Sequence, residues 1–272
     1  MTNKIDTIKA LQLINEALEQ PGKRLEAYRA FHRFSLNNQM LAAYQLAGMG
    51  LNPTPIKTFN QWKEYGRSVK KGEKAIGLLM PMVINLKGVD EETGEEKVIG
   101  QRKIFVEKNY WFALSQTKEY KQDKKKTAKK LEEDAPEWDY KKVLKAFKIK
   151  QIDFAIVNGN AQGYTSEKGI AINPLAKFPV KTMIHEIAHN LLGHLDSVKY
   201  GDNSLQEAEA EITTYLVISS LGLEGLEYSR HYIQSWLKGA KFPEASAQKC
   251  ITTAGKILEA GKIEIKSNRR AA

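Results

Sequence analysis

The 272 residues, 42% hydrophobic and 27% charged, suit a globular protein of one large or two medium domains. The longest apolar run, residues 76–84, is interrupted by Pro81 and falls well short of the roughly 18 residues that a membrane span requires. The net charge of +10 is confined to one half: residues 1–130 hold 24 Lys and Arg against 14 Asp and Glu, and residues 131–272 hold 18 against 18, so only the first half is built to meet a polyanion.

From the N-terminus, residues 4–20 predict an amphipathic helix, with Ile5, Ile8, Leu11, Leu13, Ile14 and Leu18 near helical spacing and Pro21-Gly22 as its stop. No signal-peptide core is present, and the single Cys250 allows neither an internal disulfide nor a cysteine metal cluster; a reducing cytoplasm with no membrane partner is the expected setting. A second helix is predicted over 25–34. Ser35-Leu36-Asn37-Asn38 then reads as a cap for a third over 39–47, closed by Gly48-Met49-Gly50. A short helix over 59–65, a turn at Lys71-Gly72-Glu73 and a strand over 75–84 follow. A polar turn around 90–96 brings the chain back through 97–107 and 110–114, giving a long antiparallel pair plus another strand.

Arg67, Lys70, Lys71 and Lys74 cluster in sequence beside Phe59, Trp62 and Tyr65. Cations neutralise phosphates and aromatic faces accept splayed bases, which is the mixture that single-stranded nucleic acid needs. The usual burial of tryptophan favours a core position for Trp62 over a stacking one, so the cations are the better candidates. Residues 118–130 are lysine-rich with almost nothing apolar, and read as a linker.

Beyond an acidic stretch over 131–138, a helix is predicted over 140–147, a strand over 152–157, and a turn at Asn158-Gly159 leading towards Gln162-Gly163-Tyr164. The strand Gly169-Ile170-Ala171-Ile172 comes just before the most informative segment, Met183-Ile184-His185-Glu186-Ile187-Ala188-His189-Asn190-Leu191-Leu192-Gly193-His194. An edge strand in that place can hold an extended peptide by backbone pairing. On a helix His185 and His189 project from one face a turn apart, so both imidazoles can reach one metal ion, while Glu186, rotated by about 100°, can bond a water beside it. Ile184, Ile187, Ala188, Leu191, Leu192 and Leu195 would bury the other side.

Eighteen residues after His189, Glu207, Glu209 and Glu211 alternate on a second predicted helix, with Glu207 and Glu211 on one face and Glu209 pointing away. Glu207 is assigned as third ligand and Glu211 as the carboxylate that orients a ligating imidazole; the reverse assignment satisfies the same spacing. His194, five residues after His189, is one short of the spacing of a three-histidine site and is read as structural. Closing helices are predicted over 226–237 and 243–260, with Tyr228, His231 and Tyr232 as candidate donors to a developing oxyanion.

Two stretches resemble one family. Asn37-Asn38 through Trp62, Gly66-Arg67, Val69, Lys71-Gly72-Glu73-Lys74, Pro81 and Phe112-Ala113-Leu114-Ser115-Gln116-Thr117 are similar to the N-terminal domain of ArdC-type antirestriction proteins. The histidine motif, Glu207 to Glu211, and Tyr232-Ile233-Gln234-Ser235-Trp236-Leu237 resemble the metallopeptidase domain of the same family, which Asn190 departs from where an aromatic is common. The resemblance implies an α+β chain: a helical and antiparallel-sheet domain over 1–117 that binds single-stranded DNA, a linker over 118–135, and a zincin-like, gluzincin-type domain over 136–272. It implies zinc held by His185, His189 and Glu207, Glu186 as general base on a peptide or protein substrate, and a plasmid- or phage-borne protein that protects incoming DNA during conjugation. DNA-binding candidates are Asn38, Trp62, Arg67, Lys70, Lys71 and Lys74. Two other readings fit the same residues: a regulatory peptidase of the ImmA/IrrE kind that cleaves a repressor, and a DNA-binding protector whose metal site is not catalytic.

Overall fold

The computed structural model describes residues 21–89, 96–119, 137–155, 161–195, 203–229, 233 and 242–263. The helix expected over 4–20 and nearly all of the lysine-rich stretch lie outside them. The chain is α+β and divides into two compact units, and the division falls within one helix, between Met40 and Leu41.

In the first unit, β1 (Ile56–Thr58), β4 (Glu96–Ala113) and β3 (Ile76–Val89) form an antiparallel sheet in the order β1-β4-β3. The long pair expected from sequence is β3 with β4, in register from Leu78 opposite Lys108 to Leu86 opposite Gly100. The register shifts between Ile76 and Gly77, where Tyr110 has no opposite number, so the two expected return strands are one bulged strand. Helix α3 (Phe59–Glu64) starts where Thr58 ends β1: the Thr58 hydroxyl accepts from the Gln61 amide and the Gln61 side chain accepts from the Thr58 amide, a reciprocal cap. That start drops Trp62 into the core at 0% exposure, where its indole N–H donates to the Phe112 carbonyl at 2.8 Å. A second ladder pairs β2 (Arg67–Val69) with β5 (Thr117–Glu119).

The second unit is helical around α6 (Ser204–Leu221), which is buried at every position from Ala208 to Ser220. A helix buried all round needs apolar neighbours on every side. α5 (Pro179–Leu192), α7 (Glu244–Gly261) and α1 (Pro21–Phe31) supply them. The sequence placed a boundary at residue 117; the fold instead gives residues 21–40 to the second unit, with Tyr28 and Phe31 of α1 sealed in its core. Pro21 opens α1, where a first-turn N–H has no intrahelical partner to lose, and the helix it was expected to stop lies outside the described residues. α2 (Leu36–Gly48) follows, and α4 (Tyr140–Ala146) is capped by the Asp139 carboxylate. β6 (Gly163–Ser166) and β7 (Gly169–Ile172) form a hairpin beside α5. Of the strand expected over 152–157, residues 152–155 form no ladder: the bridge to Ile170 is made by Gln151 just before them, the Ile152 amide donates to the Ile170 carbonyl, and 156–157 lie outside the described residues. Among the described residues no helix is long and apolar enough to cross a membrane.

Candidate metal centre

α5 is an amphipathic helix with Pro179 in its first turn, and it buries Met183, Ile184, Ile187, Ala188 and Leu192. Its opposite face carries His185 and His189, with their Nε2 atoms 3.0 Å apart. α6 crosses that face and contributes Glu207, whose carboxylate oxygens lie 3.5 Å from each of those two nitrogens. The ligand atoms of His185, His189 and Glu207 fall within 4.8 Å of one another, so they can surround one ion. Glu211, a turn further along α6, lies 2.9 Å from His185 Nδ1 and is itself held by the Lys181 ammonium at 2.7 Å. Glu207 thus faces the Nε2 atoms of both histidines, and Glu211 faces His185 Nδ1 on the other side of that ring.

The charges fit a cation. Burial works against a charged His185, but bonds to Glu207 and Glu211 outweigh it and hold the imidazole up at about 10. Burial likewise opposes ionisation of Glu207 and Glu211, yet both carboxylates are held well below their usual range by the facing histidines, with Lys181 adding to the effect at Glu211. Without a metal, a proton on His185 supplies the positive charge that this cluster needs. Glu186 is 7% exposed, and burial pushes its carboxyl up against the opposing pull of His185 and His189. A cavity of about 470 Å³ opens over the four groups.

Gly163, Tyr164 and Thr165 of β6 line the same cavity. β7 was the strand expected to meet a peptide, but it is interior: β6 pairs with it on one side, and Ile152 and Lys150 bond its Ile170 on the other. Among the described residues β6 pairs only with β7, so β6 is the edge at the cavity.

Two residues set aside in the sequence belong to this centre. Gly193 ends α5 in the left-handed conformation at φ 77°, and the turn returns the His194 amide to the His189 carbonyl at 3.0 Å. His194 is thereby buried, with its Nδ1 3.0 Å from His189 Nδ1 and its Nε2 2.9 Å from Glu209. Glu209 does point away from Glu207, but towards His194. Tyr228 does not line the cavity, and its hydroxyl meets Lys177 instead; His231 and Tyr232 lie outside the described residues.

The DNA-binding candidates are distributed differently. Trp62 is fully buried, so its ring has no face for a base, and Asn38 is buried in the second unit, where its amide meets the Ser35 hydroxyl. Arg67, Lys70, Lys71 and Lys74 lie on and just after β2. Arg67 bonds Thr117 and Glu119, Lys70 donates to the Ser115 carbonyl, and Lys71 and Lys74 are exposed. The Gln116 amide donates to Glu73 and to the Lys74 carbonyl, tying down the turn that presents the two lysines. The two first-half stretches that carried the family resemblance thus meet each other in space.

The family model for the N-terminal domain of anti-restriction factor ArdC matches residues 5–148. Two crystal structures of the antirestriction ArdC protein from R388 plasmid are similar to the chain, each with a TM-score of 0.50. The metal-free one is 20% identical and covers 92% of this chain and 95% of its own; the Mn(II)-bound one is 19% identical and covers 92% and 96%. Likeness at that identity speaks for the fold. Comparison with curated proteins gives no match.

Proposed function

The chain belongs to the family of the anti-restriction factor ArdC, and from that premise we propose that its first unit holds single-stranded DNA while its second is a divalent-metal peptide hydrolase, the two serving to protect incoming mobile DNA. The convergence of His185, His189 and Glu207 beside a buried Glu186 carries the hydrolase reading. These three would hold the ion, and their nitrogen and oxygen atoms suit zinc, the cofactor expected here, as well as the manganese named for the R388 protein. A divalent ion held there supplies Lewis acidity for a peptide carbonyl and an attacking water. Glu186 takes the proton of that water and passes it to the leaving amine; its raised carboxyl is suited to both halves of that transfer. The free edge of β6 holds the peptide backbone extended across the cavity. For DNA, the basic excess of residues 1–130 supplies the attraction, with Lys71 and Lys74 as exposed contacts.

Glu186→Ala separates the parts. The variant is expected to take up zinc and bind a labelled single-stranded oligonucleotide as the wild type does, and to leave fluorescein-labelled casein uncut where the zinc-loaded wild type cleaves it. Casein left intact by the zinc-loaded wild type would favour a protector whose metal is not catalytic.

A further inference from the structure

We infer that His194 and Glu209 are positioning residues for the metal centre, a relay that fixes which nitrogen of His189 carries its proton. The inference rests on the metal reading of His185, His189 and Glu207. It starts from Glu209, which is 5% exposed and reached by three donors on two elements. The Ser246 hydroxyl of α7 donates to Oε1 at 2.5 Å, the Lys249 ammonium of α7 donates to Oε2 at 3.0 Å, and His194 Nε2 lies 2.9 Å from Oε2. An ionised carboxylate only accepts, so His194 Nε2 bears a hydrogen.

A nitrogen that ligates a metal bears no hydrogen, so with Nε2 given to an ion His189 keeps its hydrogen on Nδ1, and the Nδ1 of His194 that faces it offers a lone pair. That lone pair faces His189 Nδ1 at 3.0 Å, so His189 donates from Nδ1. Its Nε2 is then left with a lone pair, directed at His185 Nε2 and Glu207, where an ion would be held. The other tautomer of His189 would aim a hydrogen at the ion.

The two ligating histidines are therefore oriented by different routes. His185 meets its carboxylate directly, through Glu211. His189 presents Nδ1 to the turn after α5, which Glu209 on α6 reaches only through a second imidazole. The glycine stop at Gly193 delivers that imidazole, and α7 holds the far end of the relay.

The test compares wild type, His194→Leu and His194→Gln. Leucine removes the relay; glutamine restores an acceptor towards His189 and a donor towards Glu209 on one group. Titration with zinc against a chromogenic chelator is expected to show roughly 10- to 100-fold weaker binding for His194→Leu, and recovery of most of that loss in His194→Gln. Long-range nitrogen-15 spectra of the metal-free wild type are expected to place the His189 proton on Nδ1. A proton on Nε2 there, or a folded His194→Leu that binds zinc as tightly as wild type, would overturn the relay; the wild-type spectrum decides even if His194→Leu does not fold. A wild type that takes up neither zinc nor manganese would sink the metal reading, an outcome distinct from failure of the relay because the spectrum is read without metal.

Discussion

At the scale of single residues, the metal-free centre is a set of charges that neutralise one another. The proton on His185 satisfies Glu211 and Glu207 at distances of 2.9 and 3.5 Å. Burial would lower the pKa of this group, but the two carboxylates raise it from 6.5 to about 10. A folded-state pKa above the unfolded one stabilises fully below the unfolded value and is lost as pH rises through the folded value. The metal-free chain should therefore lose thermal stability between pH 6.5 and about 10, and the zinc-loaded chain should not, because an ion replaces the proton. Calorimetry across that range with and without zinc checks this. A metal-free melting temperature that stays level from pH 7 to 10 would show that the cluster is not charged as described.

At the scale of elements, α5 was legible because an apolar stripe at three- and four-residue spacing survives in a helix that buries one face. α6 is buried all round and has no such stripe, so Glu207 and Glu211 could be placed by their four-residue spacing on a segment of helical composition. His194 and Glu209 could not, because their meeting depends on a tight turn and on a crossing of α5 over α6, neither of which has a period. The glycine after Leu192 was the available signal, since a C-terminal glycine followed by a polar residue marks a chain that folds back on its helix. Gly193 has φ 77°, and a Cβ there would meet nothing within 4 Å. Gly193→Ala should accordingly lower stability by about 1 kcal/mol through backbone strain alone, as read by urea denaturation. It should also weaken zinc binding by loosening the His194 turn, whereas a change to asparagine, which tolerates that conformation better, should lose less of both.

The first unit was less legible for the complementary reason. The apolar run over 76–84 and the polar turn after it revealed β3 and β4, but Arg67 read as part of a DNA surface when much of its bonding is to the motif ending in Thr117. Arg67 bonds Thr117, Lys70 bonds Ser115, and Gln116 bonds the turn at Glu73 and Lys74, partners some 40 to 50 residues apart that no local pattern connects. The same limit applied to α1. A helix was visible there, yet nothing local announced that it would pack on α6, more than 170 residues later in the chain.

At the scale of the molecule, the charge distribution separates the two proposed activities. The basic excess belongs to residues 1–130, while the metal centre lies in residues 185–211, beyond the matched family domain. Affinity for a polyanion should then depend on exposed cations of the first unit and be indifferent to metal. Lys71 and Lys74 provide the cleanest probe, because Arg67 is part-buried against Thr117 and the exposed Lys70 already donates to the Ser115 carbonyl. Each phosphate contact on a single strand contributes about 0.7 to the slope of log affinity against log salt concentration. Lys71→Glu with Lys74→Glu should flatten that slope by roughly 1.4 or slightly more, weaken binding to single strands of every sequence alike, and leave zinc uptake unchanged. An unchanged slope in fluorescence anisotropy over a range of salt would move the DNA surface away from the β2 turn. A chelator that abolished DNA binding would argue that the metal centre is needed to form the surface at all.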